Sequence, residues 1–134
     1  CNKGEYLMCE FKDRVDFKKI TIGNVEIIES GSNNNGDWIK FADGTMFCHG
    51  NRNTTCSNNV QVGSLWYTDS FNLGQYPIEF IEVPKTYLQI EGVYSIAEYT
   101  GNGKQNIGNI YMTNAVSRND QYIKVDFFAI GKWK

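Results

Sequence analysis

The chain is short of the residues that most often carry chemistry. It has one histidine, His49, so a catalytic relay or a metal site built on several imidazoles is excluded. There are only two prolines, and leucine and alanine are sparse beside asparagine and glycine, which disfavours long helices and favours short strands joined by turns. No apolar run approaches the ~20 residues that a membrane-spanning helix needs, and no leader-like segment stands at the start. Charge is balanced, 13 basic against 15 acidic residues with the signs interspersed, so no basic patch points to nucleic acid. There is no internal repeat, which argues against a propeller or solenoid, and no phosphate loop, nucleophile elbow or metal-ligand spacing. The chain opens at Cys1, and we expect a fragment or a processed product.

What is present is alternation. In Trp38–Gly50 (WIKFADGTMFCHG), Asp43-Gly44 separates two alternating runs and predicts a hairpin with a two-residue turn. That turn pairs Phe41 with Met46, Ile39 with Cys48 and Trp38 with His49. It puts Ile39, Phe41, Met46 and Cys48 on an apolar core face, and stacks His49 against Trp38 on a mixed one. Further strands are expected at Lys3–Phe11, Val15–Ile22, Val25–Glu29, Val60–Thr68, Ile78–Val83, Thr86–Glu91, Val93–Tyr99, Ile107–Val116 and Tyr122–Trp133. In the last, Ile123, Val125, Phe127 and Ala129 alternate inward. Ser30–Gly36 (SGSNNNG) and Asn51–Asn59 (NRNTTCSNN) read as polar loops, the first as a linker. Some eight to ten short strands with regular turn signals give an all-β fold, an antiparallel β-sandwich of jelly-roll or galectin-like type.

The pattern Trp38-Ile39-Lys40-Phe41-x-Asp43-Gly44-Thr45-Met46, closing on Gly50, resembles a motif of bacteriophage tail fibres and prophage tail proteins. The ending Phe128-Ala129-Ile130-Gly131-Lys132-Trp133-Lys134 is similar to the ending of such proteins, and Ile78–Ile90 (IEFIEVPKTYLQI) reads like them too. The resemblance covers residues 34–134 and leaves 1–33 as an N-terminal strand segment, a shaft-proximal element in this reading. It implies a receptor-binding tip at the end of a virion tail fibre or phage-tail-like particle. Such a tip is assembled in the bacterial cytoplasm, homotrimeric and non-enzymatic, and binds a surface polysaccharide or teichoic-acid-like glycan for host adsorption. Other tail proteins join it through an N-terminal region; nucleic acid and membrane insertion are not expected. Rival readings are a polysaccharide-degrading tailspike fragment and a purely structural trimerisation or capping module.

Four cysteines, at 1, 9, 48 and 56, allow up to two disulfides in three connectivities, and a cytoplasmic assembly route implies free thiols. Zinc on Cys48, His49 and Cys56 is disfavoured because neighbouring strand residues point to opposite faces. No catalytic residue, cofactor or metal is expected: among Asp69, Glu79, Glu82, Glu91 and Glu98 nothing marks the carboxylate pair of a glycosidase.

Aromatic content is the feature in excess. Nineteen residues are Phe, Tyr or Trp (8, 8 and 3), and Tyr67, Tyr76, Tyr87, Tyr99, Tyr111, Tyr122 and Phe128 fall at expected outer faces or loop ends. Such rings suit subunit interfaces and sugar stacking. The candidate ligand site is therefore Trp66 and Tyr67 beside Asp69, with Asn51, Arg52, Asn53, Asn58 and Asn59 offering amide and guanidinium donors from the neighbouring loop.

Overall fold

The structure, a computed structural model, describes residues 21–22, 24–92 and 96–134. The expected strand at Lys3–Phe11 and most of Val15–Ile22 lie outside the described residues. Eleven strands are present among the described residues: β1 (Thr21–Ile22), β2 (Val25–Asn33), β3 (Gly36–Phe41), β4 (Thr45–Asn58), β5 (Val60–Val62), β6 (Leu65–Tyr67), β7 (Phe71–Asn72), β8 (Lys85–Glu91), β9 (Ile96–Thr100), β10 (Asn109–Asn114) and β11 (Arg118–Lys132). The fold is all-β, as expected. One antiparallel sheet has the order β1-β2-β3-β4-β11-β8; the other runs β5-β6-β10-β7, with β9 on the free edge of β10.

The two sheets close on one core. β11 alternates as its sequence dictates, burying Ile123, Val125, Phe127 and Ala129, and opposite them lie Leu73, Tyr76, Phe80, Ile107, Ile110 and Met112. Each fully buried side chain of this size stabilises the fold by about 1.5–3 kcal/mol relative to exposure. Tyr76 belongs to this core, not to the surface, with its hydroxyl 2.5 Å from Thr86 Oγ1. Tyr99 is half-buried and donates its hydroxyl to the Ile107 carbonyl.

The Asp43-Gly44 hairpin forms, but one residue out of the expected register. Lys40 pairs with Met46, Ile39 with Phe47, Trp38 with Cys48 and Asp37 with His49. A two-residue turn needs positive φ at both central positions, and Asp43 does not take it. Instead Gly44 N–H donates to Phe41 at 3.1 Å, Asp43 Oδ1 accepts the Thr45 N–H at 2.8 Å, and Gly44 alone takes the left-handed conformation at φ 88°. This is a three-residue loop with a glycine bulge. The shift exchanges the faces of β3: Trp38 and Lys40 join Met46 and Cys48 on the inner side. Ile39 and Phe41 join Phe47 and His49 on the outer one. His49 therefore does not stack on Trp38; its Nε2 lies 3.6 Å from Asp37 Oδ2.

Both expected polar loops are corrected to strand. Ser30–Asn33 ends β2 and pairs with β3, leaving Asn34-Asn35 as the turn, so the division at residue 33 falls inside a hairpin of the large sheet. Asn51–Asn58 continues β4, because the fifteen-residue β11 supplies a partner along its length. Conversely, Ile78–Val83 is not a strand: Pro77 and Pro84 bracket it, and its backbone bonds go to Lys104 and Lys132 instead. Val60–Thr68 breaks at Gly63-Ser64 into the short β5–β6 hairpin.

Candidate functional site

β3 pairs with β4 only as far as His49, and β4 runs on beyond it toward the second sheet. There the β6–β7 link approaches, and between them lies a cleft of about 280 Å³ lined by Thr54, Thr55, Cys56, Ser57, Asn59, Asp69, Ser70 and Phe71. The link is held by Thr68, whose N–H donates to Met112 O at 3.0 Å and whose Oγ1 accepts Met112 N–H at 2.9 Å. β10 thus acts as a template that sets Asp69, Ser70 and Phe71 against β4.

The lining offers four hydroxyls, an amide, one carboxylate, a thiol and one aromatic ring. Hydroxyls and amides both donate and accept, as a saccharide edge requires, and a phenyl ring covers the apolar face of a sugar. Asp69 is exposed at the rim and adds the strongest acceptor. It is the one carboxylate in the lining, whereas glycoside hydrolysis uses two. Burial raises the Cys56 thiol, which keeps it protonated near neutral pH.

Of the residues named from sequence, the cleft brings together Asn59 and Asp69. Trp66 and Tyr67 do not line it, and as strand neighbours they point to opposite faces of the small sheet. Asn51 and Asn53 are exposed on the outer face of the large sheet. Arg52 points inward: Nε donates to Leu73 O at 2.8 Å, Nη1 to Asn51 O at 2.7 Å, and Nη2 to Asn35 O and Gln75 O at 3.0 and 2.9 Å. Its guanidinium also covers the Phe127 ring at 5.2 Å, so the group ties the β2–β3 turn and the 73–75 segment to β4 and β11. Asn58 is fully buried; its Nδ2 donates to Trp66 O and Met112 O and its Oδ1 accepts from Gln121.

Thr54, Thr55, Ser57, Ser70 and Phe71 were missed. Nothing local marks them, because the cleft exists only once β4 and the β6–β7 link meet in space. Among the described residues no group of three or more His, Cys, Asp or Glu side chains is arranged to hold a metal, and Cys48 and Cys56 are free thiols. Cys1 and Cys9 lie outside the described residues. Comparison with known protein families, with curated proteins and with solved structures returns no match.

Proposed function

We propose that this chain is the receptor-binding tip of a phage or phage-tail-like fibre, a non-enzymatic module that holds a bacterial surface glycan. The observation that carries this reading is the cleft: a polar, hydroxyl-rich recess with one aromatic wall, set on strands whose backbones the two sheets fix. Binding on a rigid scaffold loses little conformational entropy. The likeness of the hairpin and of the C-terminal ending to tail-fibre tips supplies the biological setting, that of a tail-tip protein working outside the host cell. In this reading the tip is a homotrimer, and weak single sites gain avidity through their high effective concentration.

The test is a panel of purified bacterial surface polymers, teichoic acids and capsular and lipopolysaccharide glycans, presented to the whole chain. Saturable binding to one polymer class without release of reducing sugar supports the proposal. Release of reducing sugar moves the protein to the enzyme class, and indifference to every polymer rejects glycan recognition.

A further inference from the structure

The cleft between β4 and the β6–β7 link is one-sided in charge. Its lining carries a single carboxylate, Asp69, and no lysine, arginine or histidine. Arg52, two residues before Thr54 on β4, is committed to four carbonyl oxygens. On β11, Arg118 pairs with Asn58 and Lys124 with Asn53, and neither lines the cleft. Asp69 itself makes no hydrogen bond or ion pair among the described residues. Thr68 beside it is pinned to Met112 by two hydrogen bonds, so a free carboxylate stands on a fixed backbone. Ser57 adds a donor: its Oγ accepts the Asp120 N–H at 3.0 Å, which leaves the hydroxyl proton to give.

This arrangement sorts ligands by charge. A phosphate or carboxylate entering the cleft meets a like charge and finds no cation in the lining to offset it. A hydroxyl or an ammonium instead donates to Asp69 in a charge-assisted bond, while Phe71 covers the apolar side of the ring. At about 280 Å³ the cleft sits near the ~300 Å³ lower end of small-ligand sites, which suits a single sugar residue. We infer that the cleft takes a sugar residue bearing hydroxyl or ammonium donors and no phosphate or carboxylate, with Asp69 as the residue that excludes the anion. The inference rests on the glycan reading and narrows it. On a polymer with a phosphate backbone, the cleft seats the sugar and leaves the phosphate outside.

The test titrates the whole chain with glucose, glucosamine, glucuronate and glucose 6-phosphate, and with the matching galactose series. NMR follows the backbone amides of residues 54–57 and 69–71 at low and at high salt. In at least one series the neutral or the amino sugar should bind roughly tenfold tighter than its anionic counterparts. The anionic sugars should gain affinity as salt screens Asp69. Asp69→Asn, at an exposed position that the fold does not depend on, should bring the anionic and neutral affinities together. Anionic sugars that bind at these residues as tightly as neutral ones, or that weaken as salt is added, overturn the inference and leave glycan recognition standing. No shift at these residues with any sugar rejects the inference and the glycan reading of the cleft together.

Discussion

The indole N–H of Trp133 donates to the Phe41 carbonyl at 2.8 Å, while the Trp133 backbone N–H donates to Gly44 O at 3.0 Å. These bonds dock the last residues of the chain onto the β3–β4 turn, joining in space the two stretches that carry the tail-fibre resemblance. The same corner is braced from β2, where Glu29 accepts Trp38 Nε1 at 3.1 Å and Lys40 Nζ at 3.0 Å. Hydrogen bonds from Lys40 and then Trp38 hold the Glu29 carboxyl below its usual range. Replacing Trp133 with Phe keeps a ring but removes the donor. We expect a loss of about 1 kcal/mol in denaturant unfolding, and Trp133→Ala to cost more because packing goes as well.

Gly44 is the turn's one left-handed residue, and a Cβ there would lie 3.0 Å from the Lys134 carbonyl oxygen. Gly44→Val should cost more than ~1 kcal/mol through backbone strain, with the contact added. A variant that melts with the parent protein contradicts the turn assignment.

Arg52 and Asn58 looked like ligand donors in the sequence and are structural in the fold. Arg52→Lys keeps the charge but cannot span four carbonyls, and Asn58→Ala removes a buried amide that donates to Trp66 O and Met112 O and accepts from Gln121. Each should lower stability by about 1–3 kcal/mol in urea unfolding. Normal stability in either variant would contradict these roles.

Local alternation was enough to read β8, β11 and the all-β class, since each strand there has one wet and one dry face. The β3–β4 register was not readable, because Asp-Gly suits both two- and three-residue loops and only the φ of Asp43 separates them. Asn51–Asn58 gave no strand signal, having almost no apolar residue; it is strand because β11 pairs with it across more than sixty residues of chain. Ile78–Val83 shows the reverse, alternation overruled by flanking prolines. Asn59 and Asp69 were legible as polar residues near chain reversals. Their meeting in one cleft depends on β10 and could not be read locally.

Burial in the core pushes the Cys48 thiol up to about 12 from an ordinary 9.0. A raised acid pKa favours the protonated folded state, so this contribution is complete below pH 9.0 and is lost as pH rises toward about 12. Tyr99, raised by burial from 10.0 to about 12, acts in the same direction. Melting temperature should therefore hold from pH 7 to 9 and fall beyond it, with a shallower fall in Cys48→Ala, where the raised Cys56 thiol and Tyr99 remain to titrate. Alkylation at neutral pH should reach Cys48 only on unfolding; rapid labelling of the native protein would contradict its placement.

The central claim is that the β4–β7 cleft holds a surface glycan, and binding of the polymer found in the panel, measured by calorimetry on cleft variants, tests it most directly. Asp69→Ala and Phe71→Ser should each weaken binding by roughly tenfold, the effect of losing one charged hydrogen bond or one stacking surface. Asp69→Ala should leave the melting temperature near that of the parent, since Asp69 is exposed. Trp66→Ala, outside the cleft, should lower stability more than affinity. Full affinity in Asp69→Ala and Phe71→Ser, with loss confined to Trp66→Ala, would contradict the account.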